Sequence, residues 1–315
     1  MSKIISVPVS GGKDSTACAL LAIERFPDAD IRLVHADVGN EHPITEEYVR
    51  EYLPKALGVP VEIVKADFTD AIDRKGAKLQ KIIDGEPEAR EYKYPWTPES
   101  AARALESLHP TGTPFLDMCL SRGVFPSRRR QFCTSELKIQ PMMEWLDDLL
   151  QQGHEVASWQ GVRADESASR ANLSEGEVVG GGYSIFRPIL RWSAQEAIDY
   201  VLSKGVRLND LYLMGQSRVG CMPCVNSSKS SLKEIAARFP EVIDRIEEWE
   251  ALVAESSRPG VAAFFHSGLL PDGSLKHPNI RAKVEWSKTS RGGSQYSLLD
   301  GIEPLACSSA YGLCE

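Results

Sequence analysis

Residues 10 to 15 read Ser10-Gly11-Gly12-Lys13-Asp14-Ser15, a small and polar run between a β-branched segment and a helical one. A helix N-terminus presents unpaired backbone N–H groups and the positive end of its dipole, so a glycine turn placed there can cradle phosphate oxygens. Gly11 and Gly12 allow close backbone approach, Ser10 and Ser15 offer hydroxyl donors, and Lys13 adds a positive charge. The Gly-x-x-x-x-Gly-Lys-Ser/Thr spacing of a Walker A loop is missing, as is the Gly-x-Gly-x-x-Gly dinucleotide turn. A ligand-free strand-to-helix turn is the alternative, and six specific residues at one junction favour phosphate.

The second chemical feature is sulfur. The chain has seven cysteines, and its N-terminus runs into a strand without a basic, apolar leader, so the expectation is a reducing cytoplasm and no disulfide framework. Cys221-Met222-Pro223-Cys224 is a CxxC, which fits a zinc site, a redox pair or a cluster. Cys133 precedes a helical segment, and Cys307 and Cys314 lie in the last nine residues. Four thiolates complete either a tetrahedral zinc site or a [4Fe–4S] cluster. Cys18 and Cys119, on apolar helical segments, are expected to pack as small hydrophobes.

The elements that must position these groups follow from periodicity. Ile4 to Val9, Ile31 to Asp37, Val61 to Asp67, Glu155 to Val162 and Tyr183 to Pro188 carry strand signals. Helical segments run over Thr16 to Phe26, Ile44 to Leu57, Ala71 to Ile83 and Ala194 to Leu202. Alternation of this kind predicts an α/β fold with a doubly wound, mostly parallel sheet, whose ligands sit beyond the carboxyl ends of the strands. Those ends carry Ser10 to Ser15, His35 to Asn40, Gly161 to Asp165 and Arg187 to Pro188. Prolines break the alternation from about 84 to 132, which reads as a helical insertion in a domain of residues 1–225. Residues 226–315 read as a helical C-terminal extension with a cysteine-containing tail.

The glycine turn resembles the PP-loop of the ATP pyrophosphatases, the adenine nucleotide alpha-hydrolase superfamily, which implies a Rossmann-like sheet and a loop that holds ATP phosphates while the α-phosphate is attacked. Several further motifs narrow the resemblance. Phe132-Cys133-Thr134 before Leu137-Lys138, Gly161-Val162-Arg163-Ala164-Asp165-Glu166-Ser167, Arg187-Pro188-Ile189 and Arg218-Val219-Gly220-Cys221-Met222-Pro223-Cys224 together are similar to the phosphoadenosine-phosphosulfate reductase family. The tail around Trp286 to Gly293, with its two cysteines, looks like a bacterial and phage subfamily. Cluster-bearing adenylyl-sulfate reductases have adjacent cysteines where this chain has Cys133-Thr134, and a terminal Glu-Cys-Gly-x-His that is absent here. The arrangement is closer to the DNA phosphorothioation sulfur-transfer branch, which implies a four-cysteine iron–sulfur cluster and ATP pyrophosphatase activity. Cys133, Cys221, Cys224 and one of Cys307 and Cys314 are then the expected ligands, with zinc as the alternative metal. The resemblance also implies ATP and Mg²⁺. Ser10 to Ser15 with Gly161, Arg163 and Arg187 would hold the phosphates, and Asp37, at a strand end, the Mg²⁺. Lys13, Asp14 and Arg163 are the expected catalytic residues, a guanidinium fork being suited to phosphate. His35 and His42 are given no catalytic role.

The charge balance, 36 Lys+Arg against 44 Asp+Glu, argues against a chain that coats nucleic acid with its whole surface. Arg122, Arg128, Arg129 and Arg130 nevertheless approach Cys133, either as a solvated basic loop or as a docking surface for a sulfonucleotide or a nucleic-acid backbone. Tyr92, Tyr94 and Trp96 either stack on bases or pack the insertion onto its own domain. No run of about 18 apolar residues predicts a membrane span. Three functions remain open: adenylylation with sulfur transfer, aided by a sulfur-donor or thiol-reductant protein; reduction of adenylyl sulfate or its 3′-phosphorylated form to sulfite; and a nucleotide-sensing subunit of a larger complex.

Overall fold

In the computed structural model, which describes residues 2–88, 90–265 and 278–289, the first strand β1 (Lys3–Pro8) sorts its side chains by alternation. Ile5 and Val7 enter one apolar cluster, and Ile4 enters another. β2 (Asp30–Asp37) does the same, with Leu33 on the first side and Val34 on the second. β3 (Val61–Lys65), β4 (Glu155–Trp159), β5 (Gly176–Gly180) and β6 (Tyr183–Phe186) complete one six-stranded sheet in the order β3-β2-β1-β4-β6-β5. All neighbours are parallel except the edge pair β5 and β6.

Helices cover both faces, as two-sided burial of a parallel sheet requires. Lys13–Arg25 and Ala194–Ser203 pack with Leu33 and Trp159 on one face, together with Tyr48, Val49 and Leu53. Gln140–Gln151 supplies Met142, Leu146 and Leu149 to the other. The doubly wound, mostly parallel α/β architecture expected from the alternation is thus the one observed.

The chain divides into two compact units. The sheet unit contains the described residues of Met1–Ala66 and Thr134–Cys224; the second contains those of Asp67–Cys133 and Val225–Gly293. The insertion at 84–132 therefore falls into the same unit as the described part of the C-terminal extension. That unit is helical, with Thr69–Ile83, Pro98–Ser107, Pro114–Arg122, Lys229–Arg238, Pro240–Glu255 and Ile280–Lys288. Its core is aromatic: the Phe115 ring lies 5.7 Å from Trp249 and 5.9 Å from Phe264. Trp96 is buried in this unit, while Tyr94 is half exposed. Among the described residues no helix is long and apolar enough to cross a membrane.

One strand escaped the periodicity argument, and the apolar helical segment expected around Cys119 shows no periodic face. Every residue of β5 is exposed, including both valines, so no buried face marks it as a strand. The helix Pro114–Arg122 is buried on nearly every side, and its continuous apolar run carries no helical period.

Candidate nucleotide site

The sheet order reverses at β1: β2 and β3 lie on one side of it, and β4 and β6 on the other. Crevices at such switch points are where open α/β sheets bind ligands, and the loop after β1 and the loop after β4 meet at this one. Gly11 sits in the left-handed region at φ +81°, and a Cβ there would come within 2.9 Å of Val49 Cγ2. Gly12 is the N-cap of Lys13–Arg25, with no side chain competing for the helix end. Gly161 touches the loop even more closely, since a Cβ on it would lie 2.8 Å from backbone atoms of Asp14 and Ser15. Only glycines let these two loops approach in this way.

Hydrogen bonds hold the turn in shape. Ser10 N donates to Ser15 Oγ at 3.2 Å, Ser15 Oγ donates to Gly12 O at 3.1 Å, and Thr16 Oγ1 donates to Gly12 O at 2.8 Å. Lys13 N donates to the Tyr212 hydroxyl at 3.1 Å, and the Lys13 ammonium lies 5.7 Å from the centre of the same ring.

The charged residues form a network around a buried carboxylate. Asp14 has no solvent exposure; it accepts from Lys13 Nζ at 3.0 Å and from Arg163 Nε at 2.8 Å. Arg163 Nη1 donates to both oxygens of Asp165, at 2.6 and 2.7 Å, and Glu166 accepts from Arg163 N and from Arg170 Nη1. Burial works against the charge on Arg163, yet Asp14, Asp165 and Glu166 outweigh it and hold the guanidinium above its ordinary range. Arg163 therefore ties the loop after β4 to the first turn of the first helix. Arg187 is also buried, with Nη1 on Ser174 O at 2.9 Å and Nη2 on Glu177 at 3.3 Å. Its Nε has no hydrogen-bond partner among the described residues.

Asp37 ends β2, where Oδ1 accepts from Gly39 N at 3.0 Å and Oδ2 from Arg50 at 2.6 Å. Carboxylate oxygens of Asp37, Glu41 and Glu46 lie within 4.8 Å of one another, an all-oxygen set suited to a hard cation such as Mg²⁺. Sequence reasoning missed Glu41 and Glu46; their one signal was position in the loop and helix just after β2. Burial pushes the Glu41 carboxyl up to about 7, against the opposing pull of Lys138. His35 is buried with Nδ1 2.7 Å from Val9 O, and His42 caps the next helix by accepting from Ile44 N, so both have structural work.

The CxxC is docked on that same loop. Met222 N donates to Asn40 O at 2.8 Å, Asn40 Nδ2 donates to Pro223 O at 3.0 Å, and Glu41 bridges to Cys221. Cys221 and Cys224 are half-buried and form no disulfide among the described residues. Cys133 is half-buried too, in the short helical turn Phe132–Thr134, while Cys307 and Cys314 lie outside the described residues. Two accessible thiols three residues apart fit a metal that prefers soft donors. Cys18 and Cys119 are fully buried, and burial pushes the Cys18 thiol far up, as packing residues require.

Fold and site together define a doubly wound α/β protein with a glycine turn at the switch point of its sheet, the build of a PP-loop type of adenine-nucleotide protein. The chain matches the phosphoadenosine phosphosulfate reductase domain over residues 4–109 and 119–227 and belongs to that family. It is 43% identical, over its whole length and 97% of the relative's, to an uncharacterized 37.8 kDa protein in the gpa 5′ region of Escherichia phage 186. It is 37% identical to the adenosine 5′-phosphosulfate reductase of Neisseria meningitidis serogroup A over 80 residues, 25% of this chain and 33% of that one. Among solved structures, the phosphoadenylyl-sulfate reductase of Candida auris in its phosphate complex aligns at 16% identity and a TM-score of 0.41, covering 70% of this chain and 82% of that one.

Proposed function

We propose that this chain is an ATP-dependent enzyme that adenylylates an acceptor and then transfers sulfur to it. The observation that carries the reading is the glycine turn at the sheet's switch point, with Gly161 pressed against it and Lys13, Asp14 and Arg163 in one ion-pair network. ATP phosphates would lie along the backbone N–H groups of the turn, with Mg²⁺ at Asp37 and its acidic neighbours. An acceptor oxygen attacks the α-phosphorus, the bond to the β-phosphoryl oxygen breaks, and pyrophosphate leaves into the positive field of Lys13 and the helix N-terminus. A sulfur nucleophile from a donor protein then displaces AMP. The unpartnered Nε of buried Arg187 supports a role for that residue toward an oxyanion.

Cys221, Cys224, Cys133 and one of Cys307 and Cys314 would hold a [4Fe–4S] cluster, with zinc as the alternative. When bound, the cluster supplies a site that binds or relays sulfur. The exposed Arg128, Arg129 and Arg130 suit a docking surface for a nucleic-acid or sulfonucleotide acceptor.

The match to the Neisseria reductase favours a second reading, reduction of adenylyl sulfate or its 3′-phosphorylated form. One pair of assays separates them. Anaerobically purified chain given ATP and DNA or RNA should release pyrophosphate, and lose this on Lys13→Ala. Sulfite release from adenylyl sulfate and a thiol, with no ATP consumed, would instead establish the reductase.

A further inference from the structure

One aromatic residue far along the chain reaches into the glycine turn. Tyr212 lies on the short helix Asp210–Leu213, and its hydroxyl accepts the hydrogen bond of Lys13 N at 3.1 Å. Lys13 is the first residue of the helix Lys13–Arg25, so this N–H is one of those at a helix start that have no partner within the helix. The Lys13 ammonium lies 5.7 Å from the centre of the same ring. Tyr212 thus faces both groups of Lys13 that would serve a phosphate, the amide and the ammonium.

The segment that carries this ring is anchored at its base. Arg207 N donates to the Tyr52 hydroxyl at 2.8 Å, and Arg207 O accepts from the Tyr48 hydroxyl at 2.7 Å. The Arg207 guanidinium lies 4.2 Å from the centre of the Tyr52 ring. Asn209 is wholly buried and caps the helix by accepting from Leu211 N at 3.1 Å, while its Nδ2 donates to Thr45 Oγ1 at 3.4 Å. Past Tyr212 the chain faces water: Leu213 is 83% exposed, and Gly215 turns back at φ +82°. Tyr212 is half-buried at the boundary between the clamped base and this tip. Its ring can therefore leave the turn by side-chain rotation, with every anchor of the base intact.

A backbone N–H carries a single hydrogen, so the Tyr212 hydroxyl and a phosphate oxygen compete for the one on Lys13. We propose that Tyr212 gates the turn: its hydroxyl holds the place of a phosphate oxygen at Lys13 N, and a pyrophosphate-bearing ligand enters by displacing it. The inference rests on the reading of the turn as a phosphate site given above. A phosphate oxygen wins the exchange because hydrogen bonds to an ionised acceptor are roughly twice as strong as those between neutral groups. The exchange still weakens binding, since the apparent affinity is the intrinsic one reduced by the fraction of molecules whose turn is open. One net hydrogen bond corresponds to a factor of roughly three to ten. Between ligands, the hydroxyl keeps the helix-end donor satisfied.

Calorimetric titration of the full chain with sodium pyrophosphate and with ATP tests the gate in Tyr212→Phe, which keeps the ring and removes the hydroxyl. Affinity for the two ligands should rise by a common factor of roughly three to ten. Stopped-flow mixing should place the gain in the association rate constant, with dissociation unchanged, because the hydroxyl competes only for the empty turn. The urea midpoint without ligand should fall at the same time, so that binding and stability move in opposite directions. Tyr52→Phe is the comparison, since it removes the acceptor of Arg207 N on the same segment; it should lower the midpoint and leave both affinities as they were. If Lys13→Ala abolishes binding but Tyr212→Phe binds equally or more weakly, the gate is overturned and the phosphate reading of the turn stands. Binding that survives Lys13→Ala undiminished, or none to the unaltered chain, would overturn that reading and the gate with it.

Discussion

Arg163 Nε lies 2.8 Å from Asp14 Oδ1, across 149 residues of sequence, and the carboxylate it meets is wholly buried. The pair joins the loop after β4 to the first turn of the first helix, the two segments that meet at the switch point of the sheet. Lys13 closes the other side of Asp14 at 3.0 Å. The turn is thus held as much by side-chain charge as by its glycines.

Arg163→Ala leaves Asp14 buried with Lys13 as its one remaining ion-pair partner in the network described above. Breaking a buried pair costs about 3–5 kcal/mol, and the retained lysine should keep the loss near the lower end. Urea unfolding would measure it, and a cycle with Asp14→Asn should give a coupling of about 1–3 kcal/mol. Additive single effects would show that the two groups do not act together.

Gly161→Ala should damage the cradle without touching any charge. The added Cβ would meet backbone atoms at 2.8 Å, which cannot rotate away as a side chain would, so overpacking of about 1–3 kcal/mol is expected. ATP affinity, followed by calorimetry, should drop at least tenfold. Gly153→Ala is the control for glycine replacement in open space, since nothing lies within 4 Å of its Cβ position; its φ of +85° confines the cost to backbone strain.

Purification without oxygen should give a brown protein containing iron and acid-labile sulfide. Cys221→Ala and Cys224→Ala should each bleach it, because a cubane iron that loses its thiolate is exposed to solvent. Stoichiometric zinc in a colourless protein would replace the cluster by the alternative metal. Cys18→Ala, which alters a buried packing thiol, should leave colour intact.

Glu250 predicts a pH dependence of stability. Its carboxylate accepts from Phe264 N and Ile280 N, both at 2.7 Å, yet burial raises it to about 7. An acid whose folded pKa lies above its unfolded one binds more protons when folded, so stability falls as pH rises through the window from about 4.3 to about 7. Burial shifts Glu41 the same way. Unfolding curves at pH 5, 6, 7 and 8 should show this decline. Glu250→Gln should flatten part of it while lowering stability at every pH by about 1–3 kcal/mol, since an amide cannot accept at both positions.

Much of the site was legible in the chain because its signals are local. A β-branched run, two glycines and an apolar helical stretch specify strand, turn and helix within some twenty residues, and the CxxC spacing marks a pair of candidate thiols. Arg187 and Asp37 could be placed at strand ends for the same reason. Their partners could not. Glu41 and Glu46 join Asp37 only after the chain turns back past β2, and β5 is a strand only because β6 offers it an edge.

The sequence by itself therefore determined the doubly wound sheet, the glycine turn and the candidate thiols, since period, turn residues and ligand type are properties of neighbouring positions. Only the tertiary structure decided that Asp14 is buried between Lys13 and Arg163, that Gly161 must be bare, and that Glu41 and Glu46 join Asp37. The physical reason is range. Sheet order and helix packing set which distant side chains share a low-dielectric space, and charge pairing acts on that proximity rather than on sequence spacing.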